Sequence, residues 1–455
     1  MNRGLPLLAA MVVIGAAACG PGGPTASPAS AGPAAPSTAP SVTTSATSPM
    51  VATPVTSPST STPTTSTTSA ASPSVATPAT SPPVATSPGT PDATASASAG
   101  VYAGAGAGDL SPVARQALPR VYVPNTISNT VDVIDPATLK VLDSYPVGRE
   151  PQHVVPSWDM KTLWVNDDQS NDLVPIDPRT GKRGKAVAVA DPYNLYFTPD
   201  GAHALVMAER LQRIDVRDPH TMALQRSIPV PCRGVNHADF TADGAFLLAS
   251  CEYSGTLLVI PVAGLTRVSK VIDLNAVTTP GATPVKEAKA MGGPSTLLDP
   301  GASAMPQDVR LVNDGSHFVV ADMLRNGVWV IDATTFAVTR FLPTGKGAHG
   351  IYPSRNADRL YVSDRDAGSI SVLDAGGTKV VAKWPLAPGS SPDMGGVSVD
   401  GSRLWLSGRY DSEVYVIDTH SGRTLKTIPV GKGPHGLAVW PQPGSYSLGH
   451  TGNMR

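Results

Sequence analysis

One internal repeat limits what this chain can fold into more than any other feature. From about residue 118 onward, strand-length runs such as "KTLWVN", "GVWVID" and "DRLYVSD" alternate with turn signals such as "PDG", "ADG", "NDG" and "VDG". One position marks each cycle: His153, Asn194, His237, Asp308, His349, Met394 and His435. Successive spacings are 41, 43, 71, 41, 45 and 41 residues, the long one being a repeat plus an insertion at 276–304. No comparable stretch shows helical periodicity. Four short strands in a unit of this length make a β-propeller blade. The first unit lacks an inner strand, since "RVYVPN" begins directly with the second, while "PHGLAVWP" near the end is an inner strand left over. Pairing Ala438 and Val439 with the first blade would close the ring and remove two open sheet edges. The expected fold is therefore all-β: a seven-bladed propeller over 109–441, followed by a tail, 442–455, expected beneath the face opposite the marked residues.

The N-terminal part is of another kind. "MNRGLPLLAAMVVIGAAACG" has one arginine, an apolar run too short for a comfortable membrane span, and small residues before Cys19, as an export signal over 1–18 requires. Ala16-Ala17-Ala18-Cys19 resembles the bacterial lipobox, with alanine in place of the usual leucine; lipid on Cys19 would anchor the chain to the outer face of the membrane or the wall. An ordinary secretory signal with an incidental cysteine is the alternative, and both export the protein. Residues 19–108 are almost wholly Pro, Ser, Thr, Ala, Gly and Val, with no charge between Arg3 and Asp92. Such a segment cannot bury enough apolar surface to offset its ordering entropy and reads as a disordered tether. Net charge is −1, so bulk charge points to no nucleic-acid partner.

The runs "YVPN" (122–125), "LWVN" (163–166) and "YVSD" (361–364), with "VDVID", "VWVID" and "VYVID", resemble YVTN-repeat propellers of the YncE-like type. The resemblance covers about 118–441 and implies the fold, not an activity, because propellers serve as enzymes, scaffolds and binders. In that family the marked position is commonly glycine or another small residue, so four histidines there are a departure. The tether and tail resemble those of actinobacterial proteins of this type.

Each marked residue opens an inner strand, so all seven are expected at one depth, at one channel mouth. Imidazole, carboxylate and thioether are donors to Zn²⁺ or Cu²⁺, which makes His153, His237, His349, His435 and Asp308 the candidate metal ligands. Asn194, Met394, Asp322, Asp364, Arg365 and Arg409 are candidates for contacting a ligand at the mouth. Asn125, Asp167, Asp168, Glu209, Glu252 and Arg325 stand at the same end, where solvated turn chemistry is the plainer reading. A wet polar channel with histidines bonded to water and carbonyls is the plain alternative for the ring itself.

Cys232 and Cys251 remain after Cys19. The hairpin they belong to places residue 251 opposite about 234, and in an oxidising compartment a disulfide follows; two thiolates joining His237 around a metal is the competing reading. There is no CxxCH, GxSxG or HExxH. Two functions fit: a monomeric, non-enzymatic binding module for a small ligand, metal or envelope protein, with a metal carrier as its sharp form, or a metal-dependent propeller enzyme, lactonase-like or redox, using the His/Asp/Met ring. Propeller lactonases of the resembling kind use a Glu/Asn/Asp set; Asn194 and Asp308 fit it, but the ring has no glutamate. Changing Cys19→Ser should release the protein from the membrane fraction into the medium. Unchanged membrane retention on fractionation would refute the anchor.

Overall fold

The computed structural model describes residues 100–278 and 298–455; the export segment, Cys19, the tether through residue 99 and most of the 276–304 insertion lie outside the described residues. The described residues 100–108, expected to belong to the tether, are folded onto the propeller. Tyr102 is buried there, its hydroxyl donating to Leu311 O at 2.7 Å, and the Val101 amide donates to Asn313 O at 2.6 Å.

Seven antiparallel sheets form the blades. Their inner strands are Pro151–Pro156 (blade 2), Asn194–Phe197 (blade 3), Val235–Phe240 (blade 4), Pro306–Leu311 (blade 5), Ala348–Pro353 (blade 6), Pro392–Val397 (blade 7) and, for blade 1, Ala438–Trp440. The last of these pairs antiparallel with Arg120–Asn125, Val439 facing Val121 and Ala438 facing Tyr122.

The repeated phrases have distinct mechanical tasks. In "VID" the two apolar residues point into the core and the aspartate caps the next turn: Asp332 and Asp418, like Asp218 of the related "VRD", each accept a backbone amide three residues on, at 2.7 Å. In "PDG" and its relatives a hydroxyl holds the aspartate, Thr198 to Asp200 and Thr241 to Asp243 at 2.6 Å, and the glycine takes the positive φ that ends the turn, +69° at both Gly201 and Gly244. Alternation along the strands leaves one apolar face toward each neighbouring blade. The described core accordingly divides into seven seams, one between each pair of adjacent blades, such as Tyr196, Leu205 and Met207 against Val235, Phe240 and Leu247.

In blade 4, Cys251 ends the second strand opposite Val235, and its sulfur is bonded to that of Cys232 in the loop leading to the inner strand. With both cysteines 4 % exposed or less, the bridge staples that loop to the sheet it feeds. Thiol labelling of the denatured, unreduced protein should find neither cysteine free. The double change Cys232→Ala, Cys251→Ala should lower unfolding stability by about 3 kcal/mol, as expected for a short closed loop; labelling of both cysteines in the wild type would restore the thiolate reading.

A histidine cluster on the propeller axis

The marked residues do not share one depth, because every inner strand from 151 onward, blade 3's apart, opens with a bulge. Pro151 faces Asp167 and Val154 faces Val165, so Gln152 and His153 together oppose Asn166 alone; the same slip occurs before Ala238, Val309, Ile351 and Gly395. In this register His153, His237, Asp308 and Met394 are second in the bulge. His349 is first, followed by Gly350. His435 is also first, since Pro434 bridges Asn125 just as Pro151 pairs with Asp167. The expected single ring is thus two layers. One contains Gln152, Asn236, Gln307, His349, Asp393 and His435, and the other His153, His237, Asp308 and Met394. Pro-Gln-His at 151–153 and Pro-His-Gly at 434–436 look alike in sequence but are one residue out of phase.

The stagger lets the rings interleave. His153 stands 5.6 Å from His237 and 4.9 Å from His435, centroid to centroid, and His349 stands 6.1 Å from His237 and 5.8 Å from His435. Gly436 makes room for this: a Cβ there would lie 2.1 Å from His153 Cδ2. All four histidines are buried, and burial is the main cause that pushes them down from the usual imidazole range, His435 to about 4 and the others well below it. They are therefore neutral near pH 7, with lone pairs free to donate.

A fifth imidazole comes from the tail, which does not stay beneath the far face. It runs up beside the blade 3 inner strand, Phe197 N donating to Leu448 O at 3.0 Å and His450 N to Leu195 O at 2.9 Å, and turns back so that Ser447 bridges Met454. His450 sits at the tip of this hairpin, 1 % exposed, 5.4 Å from His153 and 5.1 Å from His237. Asp239 holds the returning arm: its Oδ1 accepts from Asn453 Nδ2 at 2.7 Å and Arg455 Nη2 at 2.8 Å. The signal for the turn was legible as Gly449-His450-Thr451-Gly452, but nothing local shows where such a turn inserts.

Asp393, next to the expected Met394, is the carboxylate of the cluster. It lies 2.7 Å from His435 Nδ1 and 3.1 Å from His349 Nδ1, and Arg365 Nε donates to it at 3.0 Å. Burial alone would raise its pKa, but Arg365 and the two imidazoles hold it well below the carboxylate range. His435 Nε2 in turn faces the Tyr193 hydroxyl at 3.4 Å.

Several expected site residues are committed elsewhere. Asp308 is held by its neighbours: its Oδ2 pairs with Arg310 at 3.2 Å and accepts the Ile351 amide at 2.9 Å, while its Oδ1 stands 3.7 Å from His450 Nε2. Met394 is fully buried with its amide on Ser407 Oγ. Asp322 receives Trp329 Nε1 at 2.8 Å and three backbone amides, and Asp364 receives the hydroxyls of Ser369 and Ser371 at 3.0 and 2.8 Å, so both cap strand turns. Asp167 accepts the Gly148 amide at 3.0 Å, and Arg325 donates to Ser303 O at 2.7 Å. Asn194 stays at the axis, its amide 3.0 Å from His450 Nδ1. Asp168 and Glu209 remain as buried carboxyls near one another, both pushed up by burial first. Glu252 accepts from Asn236 Nδ2 at 2.7 Å, while Arg409 stands close enough to lower His153 and His435.

With this geometry set out, residues 93–226 and 300–443 match the family model described as a YNCE-like beta-propeller. The chain belongs to this YncE-like family. Proteins named "Uncharacterized protein YncE" from Salmonella typhi and Salmonella typhimurium are each 30 % identical to it, over 122 and 118 residues. Those matches cover 26 % and 25 % of this chain and 33 % and 32 % of the relatives' own length. A functionally unknown protein from Desulfotomaculum acetoxidans superposes with TM-score 0.55 at 16 % identity, over 71 % of this chain and 100 % of that one. Kuenenia stuttgartiensis hydrazine synthase gives 0.53 at 18 %, over 68 % and 94 %. At these identities the likeness is one of fold.

Replacing Asp393→Asn should cost about 3–5 kcal/mol in denaturant unfolding, because it leaves the Arg365 guanidinium buried without its counter-charge. Asp177→Asn, which breaks an exposed pair with Arg179, should leave the unfolding midpoint nearly unchanged.

Proposed function

We propose that this YncE-like propeller is an exported, lipid-anchored, non-enzymatic binding module that holds a transition-metal ion in the histidine cluster on its axis. One observation carries the reading: buried, neutral imidazoles converge from four blades and the tail, and the Nε2 atoms of His153, His237 and His450 have no hydrogen-bond partner in the protein. Buried polar atoms are as a rule satisfied, and an imidazole whose other nitrogen is already engaged by the protein is arranged as a metal ligand is. Nitrogen donors of this kind select Zn²⁺ or Cu²⁺ over hard cations. Catalysis by a His/Asp/Met ring finds less support, since Asp308 is tied to Arg310. The lipobox-like Ala16-Ala17-Ala18-Cys19 and the uncharged tether support placement outside the membrane.

The test is elemental analysis of the full chain, purified without a histidine tag and dialysed against Zn²⁺ or Cu²⁺. Wild type should retain one ion per chain. The variant His153→Ala, His237→Ala, His349→Ala, His435→Ala should retain none. Equal, sub-stoichiometric metal in both would refute the reading.

A further inference from the structure

We propose that the ion is held by three imidazoles, those of His153, His237 and His450, so that the C-terminal hairpin supplies one ligand and leaves a fourth position open. This rests on the metal-binding reading above and names its ligands, one of which no repeat motif contains.

Two observations converge on the same trio. One ring nitrogen of each lies within 4.8 Å of those of the other two, and no other set of three His, Cys, Asp or Glu among the described residues converges in this way. A tetrahedral ion with bonds of about 2.0–2.1 Å needs donors about 3.4 Å apart, a closure that small rotations of three side chains supply. His349 and His435 are not in the trio: their ring nitrogens do not share its common 4.8 Å, His435 Nε2 faces the Tyr193 hydroxyl at 3.4 Å, and the Arg365 guanidinium on Asp393 disfavours a second cation there.

Each of the three rings also has a partner on its Nδ1. His153 Nδ1 is 2.9 Å from Tyr193 O, which accepts only, and His237 Nδ1 is 3.0 Å from Asn236 Oδ1. These acceptors fix the proton on Nδ1 and leave Nε2 bare. His450 Nδ1 is 3.0 Å from Asn194 Nδ2, which donates to it, while the Asn194 oxygen accepts the Leu195 amide at 2.9 Å; His450 Nε2 is 3.7 Å from Asp308 Oδ1. An ion on Nε2 requires the other tautomer, in which the Asn194 side chain turns over and its oxygen leaves the Leu195 amide to accept from Nδ1.

The backbone at the hairpin tip brings the third ring into place. His450 has φ 53° and is flanked by Gly449 at φ 96° and Gly452 at φ 112°. Gly449 passes so close to the blade 3 strand that a Cβ would lie 2.3 Å from Leu195 O. The tip delivers an imidazole stacked on Tyr196 with an interplanar angle of 10°.

The experiment is Co²⁺ titration of the full, tag-free chain, read by d–d absorption and by counting imidazole ligands with X-ray absorption. Wild type should bind one Co²⁺ with tetrahedral bands and three imidazoles. His450→Ala should weaken binding about 100-fold or more, and circular dichroism reports whether that variant is folded. The double variant His349→Ala, His435→Ala should keep three imidazoles and an affinity within about threefold of wild type, which keeps the inference testable if His450→Ala does not fold. Undiminished binding by folded His450→Ala, or loss of binding in the double variant, would overturn the assignment while leaving metal binding in place. No binding by wild type would overturn both.

Discussion

The architecture depends on how the ring is closed. Because Ala438–Trp440 completes blade 1 as its innermost strand, the chain leaves the repeat array beside the axis rather than at the rim. From there the short hairpin that follows runs beside the blade 3 inner strand and reaches the histidines. Closure by an outer strand would have released the tail far from any histidine. The same pairing also brings Gly436 against His153, so the closing segment both joins first and last blades and makes space for the cluster.

The axis of this propeller is lined by buried charge pairs and imidazoles. Asp393 with Arg365, Asp308 with Arg310, and Asp239 with Arg455 each neutralise a carboxylate that burial would otherwise penalise. Such pairs are weak evidence for stability, since desolvation offsets much of their attraction. Their effect is geometric: each fixes one wall of the cluster. Asp393 turns two imidazoles, Asp308 stands beside the ring of His450, and Asp239 holds the hairpin that carries it.

Blade number, strand order and the closing strand were legible because they are written in periodicity and turn chemistry, both local. The disulfide was legible for a similar reason, since hairpin register alone places Cys251 near Cys232. The site was legible only in outline. Spacing brought His153, His237, His349 and His435 to the axis, yet a bulge consumes one residue without leaving a mark in composition, so the two layers merged into one and Met394 stood in for Asp393. Asp322 and Asp364 looked like mouth ligands because a carboxylate capping a turn and one awaiting a ligand are the same letter. His450 lay beyond the repeat, where no periodicity exists to place it.

The hairpin gives the propeller a property that repeat arrays lack. In a stack of similar units each blade contacts only its neighbours, and a partial array can hold much of its structure. The cluster joins residue 153 of the second blade, residue 237 of the fourth and residue 450 beyond the last, so it exists only when the ring has closed and the tail has threaded back inside. Its contacts join residues far apart in sequence, the kind that is slow to form, and they need the closing strand in place. Occupancy of the axis would act as a certificate of completed folding, one that a truncated or half-closed molecule cannot carry.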